Sequence, residues 1–174
     1  MRKVVAAKLH GITVTDADLN YHGSITLDPD HCDEAGILPL EFVEIWNKAS
    51  GARISTYVIY GERGSRCCVL NGAAARTCQI GDEIIVCSSA YIEEHQFVEI
   101  KPRVLTFNRD NSVRDLMFYD GGIKDDGTMT FAVREGSPVG PALKIRVGPI
   151  AGSSRVGLAG EGPSTKRRAH PSSS

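Results

Sequence analysis

Phe42-Val43-Glu44-Ile45-Trp46-Asn47, then Lys48-Ala49-Ser50-Gly51-Ala52, then Arg53-Ile54-Ser55-Thr56-Tyr57-Val58-Ile59-Tyr60 is the stretch that decides the fold. β-Branched and aromatic residues fill the outer segments, and the short Ser-Gly-containing segment joins them as a hairpin. The same composition recurs on either side. Strands are expected at Val4–Thr15, Ser24–Leu27, Phe42–Asn47, Ile54–Tyr60, Cys67–Leu70, Glu83–Cys87 and Arg103–Phe107. A short helix is expected from Asp28-Pro29, with Asp as N-cap and Pro in first helical position, to Gly36. A second is expected over Ala73-Ala74-Ala75, after Asn71-Gly72 ends the preceding strand. Many short strands, few helices and frequent glycines predict a mainly β chain closed into a compact barrel. Residues 119–150 read as less regular, with Lys124-Asp125-Asp126-Gly127-Thr128 as a hairpin turn that has no assigned place on the barrel.

The 174 residues are 41% hydrophobic and 24% charged, which describes one soluble globular domain able to bury a core. Twenty Lys and Arg against 21 Asp and Glu leave a formal charge of −1, so the basic excess of a dedicated nucleic-acid binder is missing. No apolar run approaches the roughly 20 residues needed to span a bilayer. Lys8 interrupts the basic-then-apolar start too early for a signal peptide. The expectation is a cytoplasmic protein. The five thiols, Cys32, Cys67, Cys68, Cys78 and Cys87, are odd in number and form no C-x-x-C pair; they read as buried small hydrophobes in a reducing compartment. The consecutive residues His31-Cys32-Asp33-Glu34 cannot converge on one ion, so no metal is expected.

Half of residues 151–174 are Gly, Pro or Ser, and the segment carries a net charge of +3 against −4 for the rest. It reads as a disordered basic tail, too poor in apolar surface to offset its ordering entropy. Phosphate-loop, H-E-x-x-H and G-x-S-x-G patterns are absent. On a strand, Lys8 and His10 share a face, as do Arg53 and Tyr57, and each pair suits an acidic ligand: cations for carboxylates, Tyr for a proton. Thr56 falls on the opposite face from Arg53 and Tyr57. Gly23-Ser24 is one of four Gly-Ser steps, with Gly64-Ser65, Gly136-Ser137 and Gly152-Ser153. Such a step is usually a turn, but a serine hydroxyl can also attack the preceding carbonyl and convert the amide to an ester. Elimination then leaves a dehydroalanine that hydrolyses to a pyruvoyl group.

Seven motifs run in order: Lys8-Leu9-His10; Ala17-Asp18-Leu19-x-Tyr21-x-Gly23-Ser24; Asp33-x-Ala35-Gly36-Ile37; Ile45-Trp46-Asn47; Gly51-x-Arg53-x-Ser55-Thr56-Tyr57; Glu62-Arg63-Gly64-Ser65; and Asn71-Gly72-Ala73-Ala74-Ala75. Together they resemble the aspartate 1-decarboxylase family, over about residues 1–118. The resemblance implies a double-psi β-barrel assembled as a homotetramer with active sites between subunits. It implies self-cleavage between Gly23 and Ser24, with Ser24 becoming the covalent pyruvoyl cofactor that forms a Schiff base with L-aspartate. Carbon dioxide then leaves, and β-alanine is released for pantothenate biosynthesis. It further implies that Tyr57 donates the proton, that Thr56 serves processing and substrate binding, and that Lys8, Arg53 and Gly72-Ala73-Ala74 bind substrate, with His10 and Asn71 in support. His22 stands where relatives often carry Glu, and Arg76 where His is common. Residues 119–150 extend beyond the matched region.

Two other readings are a barrel kept as a small-molecule binding module and an RNA-binding adaptor worked by the basic tail. Lys8, Ser24, Arg53, Thr56 and Tyr57 occurring together weigh against the first. Net charge and the lack of an aromatic-basic stripe weigh against the second.

Overall fold

A computed structural model describes residues 1–136 of the chain. In chain order the strands are β1 (Arg2–Thr13), β2 (Asp16–Asp18), β3 (Ser24–Leu27), β4 (Phe42–Asn47), β5 (Arg53–Tyr60), β6 (Cys68–Asn71), β7 (Glu83–Ile92), β8 (Arg103–Phe107), β9 (Val113–Ile123) and β10 (Met129–Glu135). They hydrogen-bond in the order β10-β9-β8-β1-β7-β4-β5-β3-β6-β2. The helix α1 (Pro29–Ala35) follows β3, and 3-10 turns cover Gly72–Arg76 and Glu94–Val98.

The β4–β5 hairpin forms as its sequence predicts, antiparallel from Phe42↔Tyr57 to Trp46↔Arg53. Asn47 shapes the connection: its Oδ1 accepts the N–H groups of Ala49 and Ser50 at 2.8 and 3.3 Å. The α1 signals also hold. Asp28 caps the helix by accepting the Asp30 N–H at 2.9 Å, Pro29 opens it, and Gly36 closes it in the left-handed region at φ 83°.

Leu9, Ile12, Ile25, Leu27, Ile45, Val58, Leu70, Ile84 and Leu105 have no measurable exposure and belong to one core cluster. They come from both ends of the strand order, because the end carrying β6 and β2 is tied back to the end of β1. Thr15 donates its backbone N–H to Cys68 O at 2.8 Å, and Asn111 donates through Nδ2 to Thr13 O and Arg66 O at 2.8 and 3.0 Å. The ends thus wrap one interior, in the manner of a barrel.

Some element boundaries differ from the expectation. The strand expected over Val4–Thr15 divides, because the chain leaves β7 after Thr13 and pairs residues 16–18 in parallel with β6. β7 continues past Cys87 to Ile92, where Ser88, Ser89 and Ala90 lack strong strand propensity but face Ala7, Val5 and Val4 across the ladder. Residues 119–135 are more regular than expected: β9 and β10 form an antiparallel hairpin on the sheet edge, around the predicted Lys124–Thr128 turn. Gly121 and Gly122 obscured this strand, and Gly121 is needed there because a Cβ would stand 2.7 Å from the Phe97 ring. The expected tail at 151–174, and residues 137–150 of the expected extension, lie outside the described residues. Among the described residues no helix is long and apolar enough to cross a membrane.

Candidate active site

Two groups of the expected site residues assemble. The first surrounds the Gly23-Ser24 peptide. Ser24 opens β3, is 1% exposed, and pairs with Asn71 at the end of antiparallel β6. Asn71 Nδ2 donates to Ser24 Oγ and to Thr26 Oγ1, both at 2.8 Å, while Ser24 Oγ lies 3.4 Å from His22 O. Gly72 follows Asn71 at φ +63°, and a Cβ on it would stand 2.9 Å from Gly23 Cα and 3.0 Å from Gly23 N and Tyr21 O. The bare α-carbon therefore lets the Gly72–Arg76 turn lie directly against Gly23. Within this turn Ala74 is buried and Ala73 exposed. Gly64-Ser65 differs from this arrangement: it is exposed, and Ser65 Oγ donates to Glu62 O within its own turn at 2.6 Å. Gly136-Ser137 and Gly152-Ser153 reach outside the described residues.

The second group occupies the outer face of β1, β7, β4 and β5. His10, Ile85, Trp46 and Arg53 form one cross-strand row, and Lys8, Cys87, Glu44 and Ser55 the next. Lys8 Nζ lies 5.7 Å from the Trp46 ring centroid, and Arg53 Cζ lies 4.7 Å from it. Tyr57 continues this face and packs its ring on Phe42, centroids 6.0 Å apart. Burial lowers the His10 pKa below its ordinary value, with the positive charges of Lys8 and Lys48 adding to the effect.

Strand β3 links the groups. It runs parallel to β5 with Ile25 opposite Val58, so Ser24 and Tyr57 each stand one residue earlier on adjacent strands. Thr56 does not join them on that face. The β4–β5 register is unbroken, so no bulge turns Thr56 outward; it is 9% exposed and points inward with Val58, while Arg53 and Ser55 are exposed and Tyr57 half-buried. No hydrogen bond connects Ser24 to Lys8 or Arg53 among the described residues.

The cysteines behave as small hydrophobes: Cys32, Cys68, Cys78 and Cys87 are buried, Cys67 is half-buried, and all five are free thiols. Burial pushes the Cys32 thiol up to about 12, which leaves it protonated and unreactive at neutral pH.

The aspartate decarboxylase family model matches residues 1–114, and the chain belongs to that family. The chain is 70% identical over 135 residues to the aspartate 1-decarboxylase of Xanthobacter autotrophicus, covering 78% of this chain and 90% of that one. It is 71% identical over 133 residues to that of Methylobacterium nodulans, covering 76% and 88%. Against the Methylocella silvestris protein of the same name it is 58% identical over 146 residues, covering 83% and 94%. Alignments of this length extend past residue 118 into the β9–β10 hairpin.

Sequence reasoning gave Trp46 no function, although it lies between the two cations. The missing signal is register. Lys8 and Trp46 become neighbours only through β7, a strand 37 or more residues further along the chain.

Proposed function

We propose that this chain is a self-cleaving proenzyme that decarboxylates L-aspartate to β-alanine, a precursor for pantothenate, in the cytoplasm. The observation that carries this reading is the Gly23-Ser24 step, its serine buried and its glycine exposed, held between the Asn71 carboxamide and the α-carbon of Gly72. Asn71 fixes the Ser24 hydroxyl, and Gly72 holds the backbone whose carbonyl that hydroxyl attacks. The Gly23–Ser24 amide then exchanges for an ester, and cleavage leaves residues 1–23 and a second fragment beginning at position 24. The Thr56 hydroxyl, which makes no hydrogen bond among the described residues, serves as oxyanion donor in that step.

The residues around Ser24 fit a pyruvoyl group, because position 24 is buried and faces a carboxamide donor, Asn71 Nδ2. That group supplies a carbonyl conjugated to an amide, able to take up the electron pair released with carbon dioxide. The chain's own side chains do the rest. Lys8 and Arg53, free of ion pairs among the described residues, hold the two substrate carboxylates, and Gly72-Ala73-Ala74 offers backbone N–H groups. Tyr57, one strand from Ser24, delivers the proton to the carbon that lost carbon dioxide. His10 and Asn71 support these groups.

A homotetramer with active sites between subunits accompanies this reading. Phe42, Leu40 and Tyr21 are 69%, 71% and 51% exposed near the site, and apolar exposure of this kind supports a contact between copies. The parallel β3–β5, β2–β6 and β1–β8 pairs within an otherwise antiparallel sheet support the double-psi form of the barrel. Five free thiols agree with a reducing compartment.

The test is intact mass under denaturing conditions, with and without aspartate and borohydride. Two fragments divided between residues 23 and 24, the larger gaining a reduced aspartate-derived adduct, are expected. One full-length chain that gains nothing, even after prolonged warming, overturns the reading.

A further inference from the structure

Two positive side chains that reach toward one point repel each other, and a carboxylate placed between them normally offsets this. Lys8 on β1 and Arg53 on β5 are set apart in the sheet by β7 and β4, yet both side chains reach the same ring on β4. Glu44 lies in the same cross-strand row as Lys8; its carboxylate pairs with Lys3, which lowers the Glu44 pKa through hydrogen bond and charge and raises that of Lys3, and the nearby charge of Arg53 lowers it a little further without an ion-pair contact. Neither Lys8 nor Arg53 has a hydrogen-bonded or ion-paired partner among the described residues. Both instead lie over one indole, at 5.7 and 4.7 Å from its centroid. The negative face of an aromatic ring attracts a cation without forming an ion pair, so both side chains stay available to an anionic ligand.

Resting on the aspartate decarboxylase reading above, we propose that Trp46 is a positioning residue that spaces Lys8 and Arg53 as a cradle for a dicarboxylate. A ligand with two carboxylates engages both cations, whereas a monocarboxylate needs only one. The indole therefore acts on the choice between them. It does not take part in the bond-making steps, so its removal affects KM far more than kcat. Strand register supports the assignment: Arg53 is the direct cross-strand partner of Trp46, so ring and guanidinium are held by the sheet itself.

Trp46 is the chain's single tryptophan, which makes its fluorescence a direct probe. The experiment titrates the self-cleaved wild-type protein with succinate and with acetate at constant ionic strength, and then measures Trp46→Phe and Trp46→Leu. Saturable quenching or enhancement by succinate at concentrations where acetate gives none is expected. Trp46→Leu should raise KM for aspartate and the inhibition constant of succinate by about tenfold or more, leaving kcat within about threefold and acetate inhibition unchanged. Trp46→Phe, which retains a ring, should recover most of the loss. Melting curves and intact masses establish that both variants fold and cleave. If Trp46→Leu does not fold or cleave, the wild-type fluorescence titration and Trp46→Phe decide alone. A wild-type enzyme that turns over aspartate with no fluorescence response to succinate overturns the cradle and leaves the decarboxylase reading intact. Equal losses in Trp46→Phe and Trp46→Leu likewise overturn it, because the indole would then act by packing. Absence of cleavage and turnover in the wild type overturns the decarboxylase reading itself.

Discussion

Asn71 donates its Nδ2–H to Ser24 Oγ at 2.8 Å across an antiparallel pair in which both residues are buried. The same carboxamide donates to Thr26 Oγ1, so one side chain binds two hydroxyls of β3 and fixes the rotamer of the first. In the self-cleavage proposed above, a hydroxyl that must meet the carbonyl of its own preceding residue would have few productive orientations, and the Asn71 hydrogen bond would select among them.

Asn71→Ala is therefore expected to slow self-cleavage by about tenfold to a hundredfold, the rate equivalent of losing roughly 1.4–3 kcal/mol of orientation and hydrogen bonding. The half-life of the full-length chain on a denaturing gel measures this. A half-life equal to wild type would remove Asn71 from the maturation step.

Gly72 carries a different burden. A methyl group there meets backbone atoms of Gly23 and Tyr21 at 2.9–3.0 Å, and the φ of +63° is unfavourable for any L side chain. Gly72→Ala should lose about 1–2 kcal/mol of stability from backbone strain alone and displace the scissile peptide. The expected result is a folded chain whose cleavage is at least about tenfold slower. Thermal melting and intact mass together report it, and prompt cleavage in a stable Gly72→Ala would show that the close approach is dispensable.

The contrast between these residues explains what could be read from sequence. The α1 boundaries were legible because Asp28-Pro29 and Gly36 act locally, through caps that need no distant partner. The β4–β5 hairpin was legible for the same reason. Strand β2 was not, since its three residues are held only by pairing with β6, more than 50 residues away. Within the site, shared faces such as Lys8 with His10 follow from alternation. The Trp46 contacts and the Gly72–Gly23 approach depend on register and on loops meeting, which local sequence does not encode.

Tyr57 stands beside Ser24 by strand pairing, and its ring packs on Phe42 at 6.0 Å. Tyr57→Phe keeps that packing and deletes only the phenolic hydroxyl, and with it the proton. Cleavage and borohydride-dependent attachment of aspartate should persist, while turnover falls by about 10²–10⁴-fold, the usual contribution of a general acid. Turnover within a few-fold of wild type would assign the proton to another group.

Asp28 offers a test on stability and its pH dependence. Its Oδ1 accepts the N–H groups of Asp30 and Gly64 at 2.9 and 3.0 Å, and its Oδ2 accepts that of Arg66 at 2.6 Å, so one carboxylate caps α1 and secures the 64–66 loop. Burial alone would raise its pKa, but the three backbone hydrogen bonds outweigh burial and leave it below the ordinary 3.8. The folded chain thus releases this proton more readily than the unfolded chain does. The stability contributed is complete above the ordinary carboxylate range and is lost as pH falls through the lowered folded value. Asp28→Asn replaces an accepting oxygen with an NH2 that cannot serve all three donors, and should cost about 1–3 kcal/mol at pH 7. The gap in melting temperature between wild type and variant should narrow as pH falls below about 4, because wild type then loses what the variant already lacks. Melting curves from pH 7 to pH 3 measure it, and a gap that stays constant across that range would contradict a charged Asp28 as the source of the stability.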